Sequence, residues 1–156
     1  MNKRAFRIDK IREVDLDRVI DILRSLPEWF TPKAVTEVRI AIRRSPGFVV
    51  RVGDVVRGFA LLEEKECCIE IAWLAVEKGF HGKGIGTMLV KAAEAYACSK
   101  GKPVLTVKTY GGMDYEPYLE TLAFYKRRGF KQYELIEDYR PFSGQPAIIL
   151  VKNLDC

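Results

Sequence analysis

A strand, a glycine-rich loop and a helix follow one another in the middle of the chain. Cys67–Val76 is apolar on both faces apart from Glu70, as expected of a buried central strand. Residues 79–86, here called the glycine loop, contain four glycines, and apolar residues then recur at helical spacing from Ile85 to Tyr96. A helix N-terminus exposes free N–H groups and partial positive charge, so this arrangement predicts a phosphate site.

Two common phosphate-binding loops do not fit this segment. A P-loop requires Lys and then Ser or Thr after its last glycine, but Ile85 and Gly86 follow Gly84. A dinucleotide-binding loop requires a third glycine after Gly86 and an acidic residue at the end of the next strand. Thr87-Met88-Leu89 contains no glycine, and the next predicted strand, Val104–Lys108, ends without an acid.

The segment instead resembles the acyl-CoA binding motif of the GNAT superfamily of N-acyltransferases. That motif is Arg/Gln-x-x-Gly-x-Gly/Ala, and His81–Gly86 matches it with histidine in the first position. A second family pattern, Phe-Tyr-x-x-x-Gly-Phe, matches Phe124–Phe130 further along the chain. The two motifs occur in the family's order, and the resemblance covers nearly the whole chain.

Hydrophobic periodicity predicts the element order β-α-α-β-β-β-α-β-α-β-β, and strands that run consecutively before the alternation begins indicate a mixed sheet. The resemblance implies an α/β, GNAT-like fold: a mixed, mostly antiparallel sheet of about seven strands with helices on both faces. A length of 156 residues, 48% of them hydrophobic, suits one globular domain, so residues 1–156 are assigned to a single acetyltransferase domain.

The resemblance also implies an acetyl-CoA-dependent N-acetyltransferase. In this family a primary amine attacks the acetyl thioester directly, through a tetrahedral intermediate. Tyr125 matches the tyrosine that acts as general acid to the CoA thiolate, and a backbone N–H near Leu74 or Ala75 would stabilise the oxyanion. Many members carry Asn seven positions before this tyrosine, where this chain has Tyr118. The cofactor-binding residues expected by position are Leu74, Ala75, Val76, His81, Gly82, Lys83, Gly84, Ile85, Gly86 and Thr87.

Glu70 is the candidate general base. Burying a charge in an apolar strand is costly, and burial would raise the pKa of the carboxyl towards a useful range. The pattern Glu-Ile-x-x-x-Ala also resembles members that place a catalytic glutamate here. Three alternatives stay open: Glu70 points to solvent, it holds the acceptor amine, or a water chain serves as the base. His81 is the only histidine of the chain, so a Ser-His-Asp or Cys-His mechanism is not expected.

The sequence leaves the acceptor open between a small molecule and a protein amine. The resemblance places it near Pro27–Phe30, Tyr110–Tyr118 and Asp138–Phe142. Aromatic residues and acids in these segments would suit a cationic amine, although ordinary loop anchors explain them equally well. The acids are Glu28, Asp114, Glu116 and Asp138. The alternative function is a non-catalytic CoA-binding sensor or interaction module on the same fold.

Composition excludes several other classes of protein. A net charge of +5 suits an anionic ligand but is too small to indicate nucleic-acid binding. No apolar run could cross a membrane and no secretory signal is visible, so a cytoplasmic location is expected.

The last strands are a candidate site for homodimer pairing, because many family members dimerise. No cysteine belongs to a CxxC pair, so reduced thiols and no metal site are expected at Cys67, Cys68, Cys98 and Cys156.

Overall fold

The computed structural model describes residues 5–112 and 114–156. The first four residues, part of the N-terminal stretch in which no secretory signal is expected, and Met113, within one expected acceptor segment, lie outside the described residues. Seven strands and four helices follow in the predicted order. The strands are β1 (Phe6–Lys10), β2 (Gly47–Val52), β3 (Val55–Glu64), β4 (Ile69–Val76), β5 (Val104–Tyr110), β6 (Lys131–Tyr139) and β7 (Gln145–Asn153). The helices are α1 (Leu16–Arg24), α2 (Pro32–Ala41), α3 (Ile85–Ser99) and α4 (Glu116–Arg127).

The strands form one mixed sheet in the order β1-β2-β3-β4-β5-β7-β6, and the predicted fold class is confirmed. All neighbouring pairs are antiparallel except β4 and β5. Strand β3 shows how the two faces are covered. Its Phe59 and Leu61 pack with α1 and α2, whereas Ala60 packs with α3 and Leu62 with α3 and α4. The helices therefore cover both faces of the sheet, as predicted.

The parallel pair β4–β5 is short. Only Ile69–Ile71 pairs with Leu105–Val107, although both strands continue further. On the other side, β3 pairs with both Ile71 and Trp73, which leaves Ala72 as a bulge. A bulge shifts the side-chain alternation and bends the strand. As a result Ile71 and Leu74, three residues apart, both face α3. Among the described strands, none pairs with β4 beyond Ile71 on its β5 side.

The cysteine prediction is wrong for two of the four residues. Cys98 at the end of α3 and Cys156 form a disulfide, whereas Cys67 and Cys68 are free as expected. The two partners are 58 positions apart and belong to no motif, so spacing gives no sign of the bridge. They meet because Leu154 donates its N–H to the carbonyl of Pro103, at 2.8 Å. This contact brings the end of the chain beside α3.

In the part of the chain that the structure describes, no helix combines the length and the apolar character needed to cross a membrane.

An acidic residue anchors the chain between β4 and the glycine loop. Glu77 follows β4, and its two carboxylate oxygens accept hydrogen bonds from Arg57 at 2.6 Å and Arg18 at 3.0 Å. The Arg57 guanidinium also lies 4.4 Å from the centre of the Phe80 ring. Burial disfavours the charged carboxylate, but the two arginines outweigh it and hold the pKa of Glu77 below its usual range. The start of the loop is thus fixed to α1 and β3.

We predict that Glu77→Gln lowers the free energy of unfolding by about 1–3 kcal/mol at pH 6, because two charge-assisted hydrogen bonds are weakened. In the wild type this contribution is present above the ordinary carboxyl pKa of 4.5 and is lost as the pH falls through the lower folded-state pKa. Urea unfolding at pH 6 and at pH 3 measures both effects, and the difference between wild type and variant should shrink at the lower pH. Glu63→Gln, at an exposed pair with Lys65, is the control and should change little. A difference that stays the same at both pH values would contradict the assignment.

Candidate active site

A cavity of about 1030 Å³ opens where β4 and β5 separate. One wall is the second half of β4, another is the glycine loop with the first turn of α3, and a third is the inner side of α4. The loop between α1 and α2 and the turn before β7 complete the lining. The cavity has the size of a small-molecule site and contains both apolar walls and charged groups.

The glycine loop presents backbone donors to this cavity. Gly82 and Gly84 have φ values of +76° and +88°, a backbone region that residues other than glycine rarely adopt. Gly84 is the N-cap residue of α3, and this cap makes no side-chain hydrogen bond to the helix. The first bond of the helix runs from the N–H of Met88 to the carbonyl of Gly84, so the N–H groups of residues 85–87 are left to bind an anion.

A third glycine allows α3 and α4 to approach each other. A Cβ atom at Gly86 would lie 2.8 Å from two ring carbons of Phe124, closer than side chains tolerate. Gly86 therefore brings the N-terminus of α3 against the helix that carries Tyr125. This contact places the anion-binding amides and the tyrosine on the same cavity.

The structure brings nine of the ten expected cofactor residues to the cavity wall. Lys83 is the exception, because it is exposed and does not line the cavity. His81 makes two contacts outside the glycine loop. Its Nε2 donates to the carbonyl of Val76 at 2.7 Å, and its ring packs edge-on against Trp29. The histidine thus closes the loop onto the end of β4, beside Leu74 and Ala75, which also line the cavity.

Tyr125 is buried on α4 and lines the cavity. Its ring packs edge-on against Phe124 and Phe130, with centroids 5.1 and 5.3 Å away. None of the described residues hydrogen-bonds its hydroxyl. Burial raises the pKa of Tyr125 well above its usual value, and the nearby charge of Arg128 only partly opposes this. The phenol therefore stays protonated at physiological pH and is available as a donor.

Glu70 lies on the opposite face of β4 from its buried neighbours Ile69 and Ile71. Its carboxylate accepts a hydrogen bond from Lys108 Nζ at 2.8 Å, and only 13% of its side chain is exposed, which excludes the solvent-pointing alternative. Lys108 lines the cavity and Glu70 does not. Burial disfavours the ammonium, but the hydrogen bond to Glu70 outweighs it, so the pKa of Lys108 lies above its usual value. Glu70 is thus linked to the cavity by its ion pair with Lys108, whose charged side chain lines the wall.

The loop between α1 and α2 is tied to the start of α4. Trp29 Nε1 donates to the carbonyl of Pro117 and to the hydroxyl of Thr121, both at 3.0 Å. In return, the hydroxyls of Tyr115 and Tyr118 donate to the carbonyls of Glu28 and Trp29. Tyr118, which occupies the position of the family's asparagine, therefore holds this loop across the cavity.

The acidic residues expected near the acceptor do not line the cavity: Glu28, Asp114, Glu116 and Asp138 all lie outside its wall. Asp114 instead accepts a hydrogen bond from the Tyr110 hydroxyl at 3.1 Å. The wall at this end is largely aromatic, formed by Trp29, Phe30, Trp73, Tyr110, Tyr118 and Phe142.

Sequence reasoning missed the cationic side chains of the cavity. Lys33, Lys108, Arg127 and Arg128 line it, against the carboxylates of Glu37 and Glu120. Arg128 was detectable, since it is the residue before Gly129 in the second motif, whereas Lys108 belongs to no motif. Within residues 5–112 and 114–156, no group of three or more His, Cys, Asp or Glu side chains is arranged to hold a metal ion.

Solved structures with low sequence identity share this fold. A GNAT-family protein from Desulfovibrio desulfuricans superposes with a TM-score of 0.83 at 20% identity, over 97% of this chain and all of the other. Ard1 from Thermoplasma volcanium gives 0.77 at 21% identity, over 97% of this chain and 99% of that one. PaiA N-acetyltransferase from Thermoplasma acidophilum, solved with coenzyme A, gives 0.72 at 18% identity, over 95% and 98%.

Sequence comparison identifies the family. An uncharacterized N-acetyltransferase of Methanocaldococcus jannaschii is 34% identical over 76 residues, which span 49% of this chain and 31% of that protein. The match thus covers less than a third of that relative's length. The family model of the GNAT acetyltransferase domain matches residues 43–132, more than half of the chain. The resemblance drawn from the two motifs is thereby confirmed, and the chain belongs to the GNAT family of acetyltransferases.

Proposed function

We propose that this protein is an N-acetyltransferase that transfers an acetyl group from acetyl-CoA directly to a primary amine. The observation that carries the proposal is one continuous cavity with an uncapped helix N-terminus on one wall and a buried, protonated tyrosine on another. The same cavity contains the unpaired backbone of β4. Together these features match the three parts of an acyl-CoA: a pyrophosphate, an extended amide arm and a thioester.

The residues present fit acetyl-CoA. A Cβ atom at Gly82 would meet nothing within 4 Å, so this part of the loop is open to a ligand. The amides from Gly82 to Thr87 would hold the pyrophosphate, and the backbone of Leu74, Ala75 and Val76 would pair with the pantetheine arm. Four cationic side chains against two carboxylates favour an anionic ligand in this cavity. When bound, acetyl-CoA supplies the activated acetyl thioester.

Tyr125 and Glu70 are proposed to handle the protons. Tyr125 keeps its proton at physiological pH and would donate it to the sulfur of the departing thiolate. Glu70 would take the proton of the amine through water beside Lys108, because Lys108 is the member of the pair on the cavity wall and keeps its own proton. A backbone N–H at Leu74 or Ala75 would stabilise the developing oxyanion.

A non-catalytic CoA-binding module is the competing proposal for the same cavity.

Other expectations remain predictions. A single domain over residues 1–156, a homodimer through the last strands and a cytoplasmic location are proposed from the sequence. The Cys98–Cys156 disulfide bears on the expected cytoplasmic location. Disulfides are rare in the reducing cytosol of mesophiles but frequent inside the cells of hyperthermophiles. The aromatic acceptor end favours an amine attached to an apolar or aromatic group over a polycation.

We predict that Tyr125→Phe lowers kcat for acetyl transfer by about 10²-fold or more, because the variant retains the ring but loses the donor to the thiolate. Release of the CoA thiol would be followed with a panel of aryl monoamines, amino acids, polyamines and peptides with a free N-terminus. Tyr96→Phe is the matched control, since Tyr96 does not line the cavity. A wild-type protein that binds acetyl-CoA but acetylates no amine of the panel would favour the non-catalytic module, and an unchanged kcat in Tyr125→Phe would remove the tyrosine from the mechanism.

We predict that Glu70→Gln also lowers kcat by about 10²-fold at neutral pH while the Kd for CoA stays unchanged. The amide keeps an oxygen that accepts the hydrogen bond from Lys108 but cannot take up a proton. Steady-state kinetics combined with calorimetric CoA titration separates the two effects. Wild-type kcat in this variant would assign the proton to a water chain instead of Glu70.

A further inference from the structure

We infer that Arg128 is a positioning residue for acetyl-CoA, which it serves by turning the Thr87 hydroxyl into a dedicated hydrogen-bond donor to the cofactor's phosphates. The inference rests on the proposed function, because it assigns a new role within the same cavity. It concerns the contact between the end of α4 and the first turn of α3.

The Arg128 guanidinium is fixed on several sides. Its Nε and Nη2 both donate to Thr87 Oγ1, at 3.0 and 2.7 Å. Its Nη1 donates to the carbonyl of Phe124 at 2.8 Å, and the guanidinium lies 3.7 Å from the centre of the Phe124 ring. Stacking combined with three directed hydrogen bonds leaves the group little freedom.

Two donors on one hydroxyl determine what that hydroxyl does next. A threonine hydroxyl has two acceptor lone pairs and one proton. Both N–H groups come from one edge of the Arg128 guanidinium and approach the same side of the Thr87 oxygen, so the hydroxyl proton must point away from Arg128. Within the described part of the chain, Thr87 donates its proton to no carbonyl or side chain, although helical threonines often bond to a preceding carbonyl. The proton is therefore available to a ligand, and an anion is the partner that such a donor favours.

The position of Thr87 selects the phosphates. It lies in the first turn of α3, beside the free N–H groups of residues 85–87, and both Thr87 and Arg128 line the cavity. Hydrogen bonds that donate into the hydroxyl oxygen polarise its O–H bond and strengthen it as a donor. Arg128 would in this way strengthen phosphate binding without leaving its own position. The simpler alternative is direct contact of Arg128 with a phosphate, since two of its N–H groups remain unassigned.

A double-mutant cycle on CoA affinity distinguishes these two roles. Arg128→Lys keeps the charge but cannot make the two donations to one oxygen, and Thr87→Val keeps the shape but removes the hydroxyl. Calorimetric titration with CoA gives the Kd of the wild type, both single variants and the double variant. Thr87→Ser, which restores a hydroxyl, and Arg24→Lys, at an exposed residue outside the cavity wall, are the controls.

We expect each single variant to weaken CoA binding by about tenfold, since a hydrogen bond to a charged group is lost. The double variant should be no weaker than Thr87→Val alone, and both controls should bind like the wild type. Multiplicative losses in the double variant would overturn the inference and assign Arg128 a direct phosphate contact. Wild-type affinity for CoA in the Thr87→Val variant would also overturn the inference. A folded wild-type protein that does not bind CoA would overturn the proposed function, and this inference with it.

Discussion

The structure depends on the separation of two neighbouring strands. A parallel pair interrupts an otherwise antiparallel sheet, and it is hydrogen-bonded only over Ile69–Ile71 and Leu105–Val107. The bulge at Ala72 then bends β4 away, at the point where an uninterrupted sheet would continue its ladder. An unpaired backbone inside a protein is costly unless a partner satisfies it. The separation therefore creates the cavity and leaves one edge of β4 without a described strand to pair with.

The two ends of the cavity are built for different tasks. At the glycine loop, short contacts leave little freedom: Glu77 is held by two arginines, His81 by the Val76 carbonyl, and Gly86 lies against Phe124. A set of donors fixed in this way would lose little conformational entropy on binding the phosphates proposed above. At the other end, tyrosine and tryptophan side chains tie the loop between α1 and α2 to α4, and the wall is aromatic. Fixed anion recognition at one end and an apolar acceptor chamber at the other would suit group transfer between two different substrates.

Local patterns in the sequence predicted the element order and selected residues of which most line one cavity. The glycine spacing and the helical stripe behind it are encoded within about twenty neighbouring residues, so they can be read without tertiary information. Tyr125 followed from a shorter motif of seven residues, Phe124–Phe130. The bulge at Ala72 could not be predicted, because it arises from the pairing of β4 with β3 and leaves no mark on the apolar run itself.

The remaining differences also come from long-range contacts. Glu70 was selected as an acid in an apolar strand, but its partner Lys108 is 38 positions away and only the fold brings the two together. The disulfide joins residues 58 positions apart, and Tyr118 owes its role to a loop 89 positions earlier. Lys83 illustrates a different limit: it lies within the motif, but its side chain is exposed and does not line the cavity. A motif thus specifies the backbone of a site more reliably than its side chains.

Amide hydrogen exchange, with and without saturating CoA, tests the central claim most directly. If the cofactor binds in the gap between β4 and β5, CoA should slow amide exchange in two segments, residues 72–76 of β4 and residues 82–87 at the start of α3. Exchange in β1 and β2 should be unchanged, because these strands lie at the far edge of the sheet. Saturating CoA binding with no added protection in residues 72–76 would contradict the account, since the cofactor would then bind without pairing with the strand that the fold leaves open.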